Sequence, residues 1–163
     1  MATPSELETV LIARALACVP EGVLVKAFPD NPETYKIFAP AEVLVVFRGG
    51  PYEPPMKTDL VIQERTIHFE LSVVVRSLAG HQGAYTLLEA IRLAFQGWKP
   101  ALDCQPAFIV KDQYLGMKSG QWWWAIFVAT RTRALPVLTP EPGAPFSQAT
   151  FHLIPIQPKG DMA

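Results

Sequence analysis

The stretch "QWWWAIFVATRTR", residues 121–133, poses the main question about the fold. Successive side chains of a β-strand point to opposite faces of the sheet, so Trp122 and Trp124 share one face and Trp123 lies on the other. Trp123 shares its face with Phe127 and with two alanines, an apolar set. A sheet with one wet face would leave a large indole in water. Both faces of this strand must therefore be covered.

The size and composition of the chain indicate one domain with an excess of apolar surface. The chain has 163 residues, half of them apolar, and a mean hydropathy of +0.19. A chain of this size buries roughly 70% of its unfolded surface, which is enough for a hydrophobic core. The excess is expected either in a large core or on a surface that meets a partner. The net charge of −1 favours neither nucleic-acid binding nor an anionic membrane surface.

The N-terminus and the cysteines favour a reduced, cytosolic protein. Glu6 and Glu8 stand where a signal peptide would need positive charge. No window approaches 18 uncharged apolar residues, so no membrane span is expected. Cys18 and Cys104 have no pairing pattern, and Cys18 lies near the end of a predicted helix among apolar neighbours. A reduced, buried thiol is therefore expected at Cys18.

The first 48 residues predict one helix and two strands. Ser5 and Glu8 have the spacing of a capping box, which predicts Ser5 as the N-cap. Apolar residues at helical spacing follow, so residues 6–17 should form an amphipathic helix. After the helix come a short strand (23–27), a proline-containing loop or excursion (28–40) and an apolar, β-branched strand (41–48).

Residues 66–76 have the clearest strand pattern. The odd-numbered positions are all apolar, and the even-numbered positions are polar except for Val74. Five such alternations are a strong signal for a strand with one buried face. A helix with two adjacent apolar rows follows from near Gly83 and ends at Gly97 and Pro100.

The last third of the chain predicts two strands and then an arm. Residues 107–111 and 121–133 should be strands, joined by a turn-rich linker at 112–120 that suits a hairpin. From residue 134 the chain is rich in proline and has little periodicity, with one short strand candidate at 147–154. The segment 134–163 is therefore predicted to be an extended arm that lies on another surface.

This order of elements predicts an α+β fold. The sheet should be antiparallel or mixed, with about five strands and two helices on one face. The domain is expected to span residues 1–133, and the proline-rich C-terminal arm residues 134–163. Because two helices can cover only one face, the other face must be covered by the arm or by another chain. We favour another chain.

Chemistry-bearing motifs are not found in the sequence. His68, His81 and His152 lie far apart, without the spacing of a metal site. Nucleophile-elbow, phosphate-loop and zinc-protease motifs are also missing. Glu70 is expected on the outward face of its strand in a cross-strand ion pair. The sequence thus predicts no catalytic, cofactor-binding or metal-binding residue, and it predicts no enzyme.

Three interpretations compete for the tryptophans: core on both faces, an aromatic platform for sugars or bases, or core on one face and a subunit interface on the other. Stacking platforms are usually ringed by polar residues, whereas the neighbours of Trp123 are apolar. The third interpretation is therefore favoured. Arg131 and Arg133 share a face at the end of the strand. A strand end that is merely exposed to solvent and a contact with a charged partner are about equally expected there. The candidate interface residues are Trp122, Trp123, Trp124, Phe127, Arg131, Arg133, Phe146 and Phe151.

Several local strings resemble a known family. They are Gly49-Gly50 after an apolar strand, "VVVRSL" at the end of the alternating strand, "GHQGAYTLLEAIR" at the start of the second helix, and "KDQYLGMKSGQWWWAIFVATR". Together they resemble the tail-terminator family of Mu-like contractile-tailed phages and prophages. The resemblance covers roughly residues 41–133.

The resemblance implies a non-enzymatic assembly protein without cofactor. Such proteins form a homo-hexameric ring that caps the tail tube protein, halts its polymerisation and offers a surface to the neck or connector protein. The tail sheath protein is a further possible contact, DNA is only passing cargo in the lumen, and no membrane is involved. The location implied is the virion tail, assembled in the host cytoplasm. The alternatives are a carbohydrate- or small-molecule-binding domain, another minor tail or neck completion protein, or an enzyme with an unrecognised site.

Overall fold

The computed structural model describes residues 2–56, 61–80 and 82–136, and it has the α+β architecture that the sequence predicts. The predicted arm lies outside the described residues from residue 137 onward. This part of the arm includes the predicted strand at 147–154 and the residues Phe146, Phe151 and His152. His81 also lies outside the described residues. The elements in chain order are α1 (Pro4–Cys18), β1 (Leu24–Ala27), β2 (Ala41–Gly49), β3 (Gln63–Val75), α2 (Ala84–Phe95), β4 (Phe108–Lys118) and β5 (Gln121–Ala134).

The five strands form one mixed sheet in the order β1-β2-β3-β5-β4. Within the ranges that the structure describes, β1 and β2 pair in parallel and the other pairs are antiparallel. The long central pair is β3 and β5, whose register runs from Gln63 opposite Ala134 to Val75 opposite Trp122. Among the described residues, β4 pairs only with β5 and lies at the edge of the sheet.

Both helices pack on the same face of the sheet, here called the helix face, as predicted. The odd-numbered apolar positions of β3 all point to this face and are buried. Each fully buried side chain of this kind contributes roughly 1.5–3 kcal/mol. None of the helices in the described part of the chain is long and apolar enough to cross a membrane. The core includes Leu7, Leu11 and Ala15 of α1, Leu87, Ile91 and Phe95 of α2, and Phe69, Leu71 and Val73 of β3.

The predicted N-cap of α1 is wrong by two residues. Thr3, not Ser5, caps the helix, because its hydroxyl accepts a hydrogen bond from the backbone N–H of Glu6 at 3.3 Å. The Glu6 carboxylate in turn accepts from the Thr3 N–H at 2.7 Å, which completes the capping box. Pro4 suits the first helical position, since its missing N–H would have no partner there. The sequence contains two overlapping capping-box patterns, and the proline decides between them.

The predicted linker at 112–120 is also wrong for most of its length. Strand β4 continues to Lys118, and the turn is reduced to Ser119 and Gly120, with φ of 52° and 73°. Two residues of positive φ match the tight hairpin turn whose twist fits paired strands. Irregularities between Ile109 and Lys111, and between Tyr114 and Gly116, interrupt the alternation of β4. This interruption explains why a periodicity search reads the segment as a loop.

Candidate interaction surfaces

The three tryptophans lie as their spacing predicts. Trp122 and Trp124 point to the helix face, where both pack against the main core. Trp123 points to the opposite face, here called the outer face, and belongs to a second apolar cluster. All three indoles remain partly exposed. They therefore lie at the hairpin end of the sheet, where neither face is completely covered.

The expectation that only the arm or another chain covers the outer face is wrong at this end. The segment 28–40 folds over it, and Phe28, Tyr35 and Ile37 pack on a buried patch of the sheet. That patch consists of Leu44, Val74 and Trp123. The sequence identified 28–40 as an excursion but gave no sign of where it lies.

A polar anchor holds the segment 28–40 in place. The Tyr35 hydroxyl donates to the carboxylate of Glu42, and the Lys26 ammonium lies 3.2 Å from the same carboxylate oxygen. The hydrogen bond with Tyr35 and the contact with Glu42 raise the pKa of Lys26. Burial and the Glu42 hydrogen bond raise the pKa of Tyr35. Lys118 adds a second attachment by donating to the Glu33 carbonyl at 3.2 Å.

An apolar groove, here called the outer groove, runs between the segment 28–40 and the hairpin tip. Its volume is about 360 Å³. Leu115 and Met117 are 47% and 59% exposed, so its walls offer apolar surface to solvent. Exposed apolar surface of this kind is typical of sites that meet another molecule. The groove is lined by Pro32, Glu33, Leu115, Gly116, Met117, Lys118 and Trp123.

The rest of the outer face carries cations next to aromatic rings. The Lys111 ammonium lies 4.9 Å from the centre of the Phe127 ring, and the Arg131 guanidinium lies 5.9 Å from that of Phe108. Glu70 forms the expected ion pair across the strands, with Arg48 at 3.2 Å. The sequence predicted a dry surface around Phe127, whereas the structure shows a ring beside a lysine.

The candidate residues therefore fall into separate places rather than one site. Arg131 and Arg133 are exposed and lie at the far end of β5 from Trp123. Trp123 and Arg133 are ten positions apart, and at about 3.3 Å per residue this separates them by roughly 33 Å. Trp122 and Trp124 lie on the other face, and Phe146 and Phe151 lie outside the described residues.

A second groove, here called the helix-side groove, lies between α2 and β4. Its volume is about 330 Å³. At its end the Tyr114 ring lies 5.1 Å from that of Trp124 and 6.0 Å from that of Trp122, and Tyr85 meets Trp124 edge-on at 6.1 Å. The lining residues are Tyr85, Leu88, Glu89, Arg92, Ile109, Asp112, Trp124 and Ile126.

Sequence reasoning missed the partners of the tryptophans in both grooves. Tyr114, Leu115 and Met117 lie in the stretch that the sequence predicts to be a linker, and Tyr85 lies on the helix with two apolar rows but is 56% exposed. The one usable signal was the Ser-Gly pair at 119–120, which is compatible with a two-residue hairpin turn and would have placed Met117 opposite Trp122.

Titratable groups do not assemble into a reactive centre in the described part of the chain. No three His, Cys, Asp or Glu side chains there are placed to share a metal ion. His68 is half-buried on the outer face, opposite Ala129 of β5. Burial raises the pKa of the Cys104 thiol, which makes the reactive thiolate harder to form. Both cysteines are reduced.

Comparison with known proteins finds a matching family and similar solved structures. The model of the family described as "Gp37 protein" matches residues 11–152. A search of curated proteins gave no match. Among solved structures, a chain from the "Virion of native gene transfer agent (GTA) particle" aligns with a TM-score of 0.49 and 12% identity, over 78% of this chain and 95% of that chain. Since the family model spans most of the sequence, the chain belongs to the Gp37 protein family.

Proposed function

We propose that the protein is a phage virion structural protein and, more specifically, a tail terminator. In this role it forms a homo-hexameric ring that caps the tail tube and stops its polymerisation. The ring would then present its other side to the neck or connector protein and, in a contractile tail, to the last sheath ring. Its place would be the virion tail, its assembly would occur in the host cytoplasm, and it would have no enzymatic activity.

The outer groove is the observation that carries the proposal. An edge hairpin with exposed Leu115 and Met117 beside the partly buried Trp123 is an apolar surface that a lone subunit leaves in water. Large exposed apolar patches are uncommon on monomeric proteins. A neighbouring subunit that covers this groove would remove that surface from solvent.

The distribution of surface types also suits a ring. A closed ring is built from a head-to-tail interface, in which each subunit contributes two different surfaces. The outer groove is apolar, whereas the far end of the outer face carries Arg131 and Arg133. Two unlike surfaces at opposite ends of β5 are compatible with such an interface. Support from the sequence comes from the strings within residues 41–133 that resemble tail terminators.

The ring can be tested through the mass of the purified protein, by light scattering at micromolar concentration, together with negative-stain images. A six-subunit ring is expected for the natural protein. Leu115→Asp places a charge in the outer groove and should reduce the mass to that of a monomer. Leu93→Asp is the matched control, because Leu93 is 64% exposed but lies on α2. A natural protein that is monomeric by both methods would contradict self-assembly.

A further inference from the structure

We propose that the helix-side groove is the docking site for the proline-rich segment 136–146 of the same chain, bound in the extended polyproline II conformation. The inference concerns the helix face and does not rest on the proposed ring. The segment reads "PVLTPEPGAPF" and lies, except for Pro136, outside the described residues.

The groove exists because the two helices cover the sheet unevenly. In the described part of the chain, α1 packs mainly against β1 and β2, and α2 packs against β3, β4 and β5. Tyr85, near the start of α2, meets Trp124 edge-on, and Trp122 lies two positions closer to the hairpin turn, where it remains partly exposed. Tyr114 is 44% exposed. An additional segment is needed to complete this layer.

The walls of the groove have the chemistry that recognises proline. The rings of Tyr85 and Trp124 line the groove. Beside it, Tyr114 contacts both Trp124 and Trp122, and successive ring centroids in this row are 5.1–6.1 Å apart. Grooves lined by aromatic rings bind proline-rich segments, because the polyproline II helix is already extended and loses little entropy on binding. Pro142 and Pro145 have the P-x-x-P spacing that such grooves read.

One residue that lines the groove has a polar atom without a partner. The indole N–H of Trp124 is buried and has no hydrogen-bond acceptor among the described residues. A buried donor without an acceptor is unfavourable by about 1–3 kcal/mol. Polyproline II segments make no internal hydrogen bonds, so their carbonyl oxygens are available as acceptors.

The segment has the length to reach the groove from the end of β5. Ile126 and Trp124 lie eight and ten residues before Ala134, or roughly 26 and 33 Å along a strand. Pro142 and Pro145 lie eight and eleven residues after Ala134, or roughly 25 and 34 Å in polyproline II. The two lengths are similar, so a chain that reverses direction after Ala134 can bring Pro142 and Pro145 to the groove. A short tether also keeps the segment at an effective concentration in the millimolar range.

The composition of the segment matches an apolar floor better than a charged surface. Its one charged residue is Glu141, and its last residue, Phe146, would arrive beside Tyr114. The rim of the groove is already largely neutralised, since Arg92 pairs with Glu89 at 2.5 Å. Asp112 is the remaining charge in the lining. The contact between the segment 136–146 and the helix-side groove is therefore expected to be mainly apolar.

Indole N–H signals in a ¹H–¹⁵N spectrum of the full chain test the docking directly. The double variant Pro142→Ala and Pro145→Ala should shift the Trp124 signal, with a smaller shift at Trp122. The matched control is Pro155→Ala with Pro158→Ala, which alters prolines of the same arm outside the segment. Trp123, on the outer face, is an internal reference that should move in neither variant. An unchanged Trp124 signal, or an equal shift in the control, would overturn the proposal.

A second measurement tests the same contact through a replacement beside the groove. Tyr114→Ala should increase the rate of limited proteolysis within residues 137–163, because the released arm becomes accessible. Tyr52→Ala is its control, since Tyr52 is also about half exposed but lies away from the groove. Equal cleavage rates in the two variants would refute docking at Tyr114. A rate in the natural protein that falls with protein concentration would place the segment on a neighbouring chain and so overturn docking within one chain.

Discussion

Tyr35 donates its hydroxyl hydrogen to Glu42, a carboxylate on β2 that is 0% exposed. The bond joins the segment 28–40 to the sheet beneath it, next to the apolar contact of Ile37 with Trp123. Lys26 shares the carboxylate, so the buried charge has a partner. Burial of an unpaired carboxylate would be strongly unfavourable. The position of this segment therefore depends on a polar contact as well as on apolar packing.

Tyr35→Phe should destabilise the protein by about 1–3 kcal/mol, because it removes the hydroxyl and leaves the buried Glu42 carboxylate with one partner fewer. Urea unfolding followed by tryptophan fluorescence measures the change. Tyr52→Phe is the control, since Tyr52 is half exposed and the replacement should be nearly neutral. Equal effects of the two replacements would show that the Tyr35 hydroxyl is not important for stability.

The same anchor predicts a loss of stability at alkaline pH. Both Lys26 and Tyr35 have pKa values raised above 10.5 and 10.0 respectively, so the folded state holds these protons more strongly than the unfolded state. Their contribution is complete below the unfolded values and is lost as pH rises through the folded ones. The free energy of unfolding should therefore gain nothing from this pair on going from pH 7 to 9 and should fall above about pH 10.

Tyr35→Phe provides the comparison for this pH dependence. It removes one titrating group and one cause of the raised Lys26 pKa, so its stability should decline less steeply above about pH 10. If the free energy of unfolding fell equally with pH in the natural protein and in the variant, the pH dependence would not come from Tyr35 and Lys26.

The hairpin turn predicts two replacements of opposite sign. Ser119 and Gly120 both have positive φ. Gly120→Ala should destabilise by about 1–2 kcal/mol, because a Cβ is strained in this region. Ser119→Asn should be neutral or stabilising by a few tenths of a kcal/mol, since asparagine tolerates positive φ and favours this turn. Thermal unfolding of both variants checks the signs, and a stabilising Gly120→Ala would contradict the turn geometry.

Most of the fold could be predicted from periodicity. The alternation in β3 and the broad apolar stripe of α2 depend on local geometry that the sequence displays directly. The extent of β4 could not be predicted, because its two irregularities break the alternation and its exposed residues are polar as often as apolar. The start of α1 required a choice between two capping boxes, which only the position of Pro4 resolves.

The surfaces were harder to predict than the fold. Opposite faces for Trp123 and its neighbours follow from strand geometry, and this prediction is confirmed. The cover supplied by the segment 28–40 depends on long-range contacts such as that of Tyr35 with Glu42, for which no local pattern exists. The contact of Tyr114 with Trp124 depends on the register of the β4–β5 hairpin. This register could not be predicted, because the sequence of 112–120 indicates a linker and not a strand.

Trp123→Ala and Phe127→Ala should differ in their effects. Trp123 packs against the cluster that Ile37, Leu44 and Val74 form, so its loss should reduce the free energy of unfolding by about 2 kcal/mol or more and loosen the segment 28–40. Phe127 is half-buried beside Lys111, so its truncation should affect folding less and assembly more. Chemical unfolding and light scattering on both variants separate the two effects. A folded, fully assembled Phe127→Ala protein would exclude that ring from the interface.

Tube length is the most direct measure of the proposed role. Tail tube protein from the same phage or prophage would be polymerised alone and with this protein, and tube lengths would be read from negative-stain images. Addition of this protein should shorten the tubes and leave a ring at one end, whereas Leu115→Asp should lose both effects and Leu93→Asp should keep them. Tubes of unchanged length without a ring at either end, from a protein that is folded, would contradict the proposal that this protein terminates the tail.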